Sequence, residues 1–237
     1  METNEAKTKI LQILYTKSLV KQQVFDKTFE AFKMLKKVLA RLVTEYNEEL
    51  KLENEKIHLS FKDRGPFFAE LKVAGDLLIF QMHSNVFEFD REHGVWKISY
   101  VQSNNMASYS GIINIYNFLA DSFKYNRFDD LGYLIGRIFV NKDNHYFVEG
   151  KRQLGFLYND FGNALIDEKT IKQIVESAIL YCLDFDLFVP PYEEVKVTNV
   201  AHIQDKRSKS LTITGKRLGF GFQTDEISGD SITYSGA

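Results

Sequence analysis

The residues best suited to chemistry are Asp63, Glu70 and Lys72. Two carboxylates on neighbouring strands could hold a divalent cation, and a nearby lysine could stabilise charge developing on a phosphate. Charged residues on the wet face of an antiparallel hairpin explain Glu70 and Lys72 equally well. The histidines, at positions 58, 83, 93, 145 and 202, show no pair at helical or zinc-ligand spacing. With one cysteine beside them, no metal site is expected. Cys182 falls on the apolar face of a helical segment and reads as a packing residue, not a nucleophile. No G-x-S-x-G elbow or phosphate loop is present. Gly219 and Gly221 form a lone G-x-G in an alternating strand, where a bend or close packing suffices. No cofactor is expected.

The order Asp63, then Glu70-Leu71-Lys72, resembles the D…E-x-K core of a broad superfamily of metal-dependent nucleases. That resemblance implies metal binding at Asp63 and Glu70, with Lys72 beside the scissile phosphate. A second charged feature lies near the end of the chain. Lys196, Lys206, Arg207, Lys209, Lys216 and Arg217 face only Asp205, and Arg207, Lys209, Lys216 and Arg217 fall on a candidate hairpin. Such a basic hairpin could bind phosphate-bearing ligands, or dock on the acidic stretch over 158–195.

The whole chain limits these options. Its 237 residues suffice for one large domain or two small ones, and 44 % hydrophobic with 26 % charged residues is a globular composition. A formal net charge of −2 gives no global field to recruit nucleic acid or anionic membrane. No stretch approaches the ~20 apolar residues that span a bilayer. The polar start lacks the apolar run of a signal peptide, and a lone cysteine fits a reducing compartment, so the cytoplasm is the expected location.

The elements that must position these residues are legible as periodicities. Residues 5–50 read as helix, with Phe25, Phe29, Phe32, Leu35, Leu39 and Leu42 spaced by three or four. Ile10, Ile13, Leu14 and Leu19 follow that period less regularly, which suggests a break near Lys17 to Lys21. Short apolar segments then alternate with turns: 57–61, 67–73, 77–82, 86–89 and 95–101, an antiparallel meander. Residues 109–126 show helical spacing through Ile112, Ile115, Tyr116, Leu119 and Phe123. A hairpin over 133–149 and a strand over 154–158 follow. Asp167 is placed to cap a helix whose inward face carries Ile171, Ile174, Val175, Ala178, Ile179 and Cys182. Strands over 195–203, 211–214 and 218–222 complete the chain.

This pattern predicts an α+β fold: an antiparallel sheet with amphipathic helices on one face, a long N-terminal helix and a C-terminal β-hairpin. The expected organisation is a helical arm over 1–52, a core over 53–203 and the hairpin with a polar tail over 204–237, all as one folding unit. The run from Phe118 and Leu119 through Tyr125 and Asn126 to Leu134–Val140 resembles the type III secretion chaperone-like fold and its sensory-domain relatives. Residues 154–158 with the helix after Asp167 are similar too, so the resemblance covers roughly 20–185. It implies a non-catalytic protein-binding or chaperone-like module, commonly dimeric. The long stripe from Phe25 to Leu42 is the expected oligomerisation surface, because six large apolar side chains cannot stay wet. A nuclease at Asp63, Glu70 and Lys72, or a small-ligand sensor with a pocket between helix and sheet, are the alternatives. A protein partner and a homodimer are expected, without membrane or nucleic-acid binding.

Overall fold

The computed structural model describes residues 2–51, 57–128, 130–184 and 200. Contacts divide the chain into Met1–Asp184 and Phe185–Ala237, and the architecture below is that of the first unit. The strands expected over 195–222, with Arg207, Lys209, Lys216 and Arg217, lie outside the described residues apart from Val200.

The chain opens on helix α1 (Glu2–Ile13), runs through a π-helical turn (Leu14–Ser18) and continues as α2 (Leu19–Leu50). Where a break was expected, the helix instead widens. The Leu19 amide donates to the Leu14 carbonyl, five residues back, so the turn holds one residue more than an α-turn. Beyond it, Val24, Thr28, Ala31, Phe32, Leu35, Val38, Leu39 and Leu42 make one buried face. This corrects the expected oligomerisation surface. Phe32, Leu35, Leu39 and Leu42 sit in the protein's own core, 0–1 % exposed. Phe25 and Phe29 pack against that core and against Phe67, at ring separations of 6.2 and 5.9 Å. The sheet is long enough to absorb the whole stripe, so the arm drawn at 1–52 contributes its second half to the core.

That sheet has seven strands. β1 (Leu59–Asp63), β2 (Phe68–Val73) and β3 (Asp76–Met82) form a meander. β3 then pairs with β5 (Tyr109–Leu119), whose first residues also pair with the short β4 (Phe87–Glu88). β6 (Tyr133–Asn141) and β7 (Tyr146–Gly150) complete the order β1-β2-β3-β5-β6-β7, antiparallel throughout. Asn47 of α2 closes the outer edge of β1. Its side-chain amide donates to the Leu59 carbonyl and accepts from the Leu59 amide, both at 2.8 Å. A side chain thus occupies hydrogen-bonding positions that another strand could otherwise take.

Three expected elements differ. Residues 109–119 are a central strand, and only Ala120–Lys124 are helical (α4). A strand flanked on both sides and buried on both faces shows no clean alternation, so its isoleucines fell by chance at helical spacing. Residues 94–103 form a 3-10 turn (Gly94–Lys97) and the short α3 (Ser99–Ser103) instead of a strand. Val95 and Val101 are apolar because they build a second small core with Ala107 and Phe161. Residues 153–156 form the short helix α5 (Gln153–Phe156). The Tyr158 carbonyl still accepts from Val148 of β7, a single contact in place of a strand.

The last described helix, α6 (Glu168–Leu183), starts where Asp167 accepts from the Thr170 amide at 2.7 Å. Its inward residues from Ile171 to Cys182 are buried beside α2 on one face of the sheet. Along the α2–α6 seam, Arg41 meets Glu168 at 2.6 Å, Lys172 meets Glu45 at 2.9 Å, and Tyr46 donates to Glu176 at 2.8 Å. Burial and then the Glu176 hydrogen bond push the Tyr46 hydroxyl up to about 12. Because that value lies above the unfolded one near 10, the contact is intact below pH 10 and is lost as pH rises towards 12. Chemical denaturation from pH 9 to 12 should therefore show a steeper stability loss for the wild type than for Tyr46→Phe. Equal slopes would mean the hydroxyl contributes nothing.

Candidate functional site

The trio Asp63, Glu70 and Lys72 does not assemble. Asp63 is the register partner of Ala69 and so shares the helix-covered side of the sheet, while Glu70, one residue further on, points to the opposite side. The Asp63 carboxylate is held by Lys36 of α2 at 2.6 Å and accepts from the Gly65 amide at 3.0 Å. These hydrogen bonds, the lysine's first, draw it below the usual carboxylate range. Glu70 instead pairs with Arg64 at 2.9 Å. Among the described residues, no three His, Cys, Asp or Glu side chains are gathered so as to hold a metal. The expectation of two carboxylates on neighbouring strands was sound in sequence distance and failed on strand parity.

Glu70 and Lys72 do share a different surface. On the side of the sheet away from α2 and α6, a cleft of about 260 Å³ opens between β1, β2, β3 and α4. Its charged lining is Lys62, Arg64, Glu70, Lys72, Asp121 and Lys124, with Ser60 on one wall and Leu77 and Phe123 supplying apolar surface. The space between sheet and helices, where a sensor pocket was sought, is filled by Phe32, Leu35, Leu39, Leu71, Leu78 and Phe80.

The second notable surface is the first part of the long helix. Every side chain described from Asn4 to Leu19 is exposed, including Ile10, Leu11, Ile13, Leu14, Tyr15 and Leu19. Tyr15 is 73 % exposed and Ile10 57 %. Lys17 marks the point where the helix leaves the body. Its ammonium lies 3.9 Å from Glu88 and 5.6 Å above the Tyr109 ring, and Lys21 approaches the same ring at 5.7 Å. Tyr109 in turn donates to Glu88 at 2.8 Å. Upstream of this clamp, the side-chain hydrogen bonds among the described residues are local to the helix, Thr8 to the Asn4 carbonyl and Thr16 to the Gln12 carbonyl. An apolar series that no described residue covers has no reason to stay wet.

This segment was partly visible in the sequence as Ile10, Ile13, Leu14 and Leu19. What hid it was phase. At a regular period Ile10, Ile13 and Leu14 share the face of Val24, Thr28 and Ala31, and it is the π-helical turn that rotates them off it. Among the described residues, no helix is long and apolar enough to cross a membrane. Comparison with known protein families, curated proteins and solved structures returns no match.

Proposed function

We propose that this chain is a non-catalytic protein-binding module that docks through its projecting N-terminal helix, and that its first partner is a second copy of itself. The observation carrying this reading is the exposed apolar series from Ile10 to Leu19 on a helix that leaves the body at Lys17. Burying such side chains is worth about 1.5–3 kcal/mol each, enough for a few of them to drive pairing. An antiparallel arrangement of two copies places Ile10 across from the Ile13–Leu14 turn, so that the exposed apolar residues of each copy cover those of the other. Lys7 and Lys9 offset Glu2 and Glu5, so apolar matching and not charge sets this direction. The arrangement is two-fold and closed, which limits assembly to a dimer.

The contact is one helical arm wide, so the dimer falls among weaker, reversible interfaces. The reading rests on the exposed helix and does not need the likeness to secretion chaperones. A cytoplasmic setting agrees with Cys182, the sole cysteine, being buried in the core.

Sedimentation equilibrium across micromolar concentrations tests the proposal. The full chain should show a reversible dimer, and Ile13→Glu with Leu14→Glu should abolish it while leaving the melting temperature within a few degrees. A wild type that stays monomeric throughout that range overturns the self-association.

A further inference from the structure

We infer that the cleft between β1, β2, β3 and α4 is a binding site for a small phosphate dianion. The lining carries four cationic side chains, Lys62, Arg64, Lys72 and Lys124, against two carboxylates, Glu70 and Asp121. The two carboxylates leave two positive charges in excess. Glu70 is committed to Arg64 at 2.9 Å, and its side chain is only 16 % exposed. Among the described residues, neither Lys62 nor Lys72 makes an ion pair. The register explains why both lysines face the cleft. Lys62 lies opposite Glu70 and Lys72 opposite Ser60, so the two lysines are diagonal neighbours on the same side of the β1–β2 pair. Lys124 approaches from α4, over the Tyr125 ring at 4.9 Å.

Two ammonium groups at this spacing repel each other across a concave, partly apolar wall, where field lines are focused. A dianion between them turns that repulsion into two charge-assisted hydrogen bonds. The Ser60 hydroxyl, on the same side of β1, can donate a third. The Arg64–Glu70 pair keeps a carboxylate from occupying the lysines and fixes one wall. At about 260 Å³ the cleft lies just below the ~300–1,000 Å³ of drug-sized pockets. It fits phosphate or a phosphate monoester of a few carbons, with Leu77 and Phe123 beside the carbon part. The inference is independent of the helical arm, which lies elsewhere on the body.

Calorimetric titration of the full chain at fixed ionic strength tests it, with inorganic phosphate, glycerol 3-phosphate and sulfate as probes. Both phosphates should bind in the millimolar range or tighter. Lys62→Gln and Lys72→Gln should each weaken binding about tenfold, while Lys37→Gln, an exposed lysine on α2, should leave it unchanged. Tighter binding of glycerol 3-phosphate identifies a monoester site, and equal binding identifies phosphate itself. Either supports the inference. Absence of binding at about 10 mM overturns it. So does sulfate binding as well as phosphate together with an equal effect of Lys37→Gln, which marks an adventitious ion only. Circular dichroism of each variant separates a lost site from a lost fold.

Discussion

Phe32→Ala lowers the stability of this protein by about 3–5 kcal/mol, the range for truncating a fully buried aromatic side chain. Phe32 is 0 % exposed, on the face of α2 that meets the sheet. It belongs to the same apolar core as Leu35 and Leu39 of its own helix and Leu71, Leu78 and Phe80 of the sheet. Truncation removes apolar transfer energy and leaves a cavity that two stiff layers cannot close. Lys36 also places its ammonium 5.2 Å above the Phe32 ring before reaching Asp63, so the Lys36–Asp63 bond loses part of its support. Urea denaturation should show the midpoint falling with the slope unchanged. The experiment also separates two roles for the stripe. A core residue costs stability, whereas an interface residue changes the oligomeric state and leaves each copy's stability nearly intact. A loss below about 1 kcal/mol, well short of the range for buried aromatics, would mean that α2 does not pack on the sheet as described.

The second large effect comes from the smallest residue. A Cβ built on Gly111 would lie 2.2 Å from Thr28 Oγ1 and 2.8 Å from Thr28 Cβ. Thr28 cannot swing away. It is buried and β-branched within a helix, and its hydroxyl donates to the Val24 carbonyl at 2.7 Å. Gly111→Ala therefore lifts α2 off β5 or distorts the central strand, with a loss of about 3 kcal/mol or more, at or above the upper end for overpacking. Thr28→Ala removes Oγ1 and Cγ2 but keeps the Cβ at 2.8 Å, so the double variant Thr28→Ala with Gly111→Ala should recover part of that loss. Additive effects, measured by a double-mutant cycle, would mean the two residues are not in contact.

How much of this was readable beforehand divides along physical lines. The long helix and the Asp167-capped helix each have one wet side and so display their period, while the β1–β3 meander and the β6–β7 hairpin are marked by the short turns between their strands. Residues 109–119 have no wet side, and there the period vanishes. The short helices around Ser99 and Gln153 are set by the small core of Val95, Val101, Ala107 and Phe161, a tertiary cause with no local signature. The same holds for function. Lys72 and Glu70 were visible as reactive types, but the parity of β1 against β2 decided that Asp63 faces Lys36 and Lys62 faces the cleft. The stripe from Phe25 to Leu42 was read correctly as apolar, yet its partner is the protein's own sheet. Composition says how much surface must be covered; only the packed structure says by what.

The π-helical turn at Leu14–Ser18 has a mechanical consequence for the arm. In a regular α-helix each residue advances the direction of the chain by about 100°, so a one-residue deletion swings everything upstream round by that angle. Here the turn already stores one residue beyond the α-helical count. Deleting Thr16 would let the turn close as ordinary α-helix, with the arm still aimed the same way. Regularising the turn without a deletion would do the opposite, rolling Ile10, Ile13 and Leu14 into line with Val24, Thr28 and Ala31. The bearing of the arm is thus stored in one turn of backbone and not in its side chains. Loss of a residue there would be silent, while a gain of regularity would re-aim the surface.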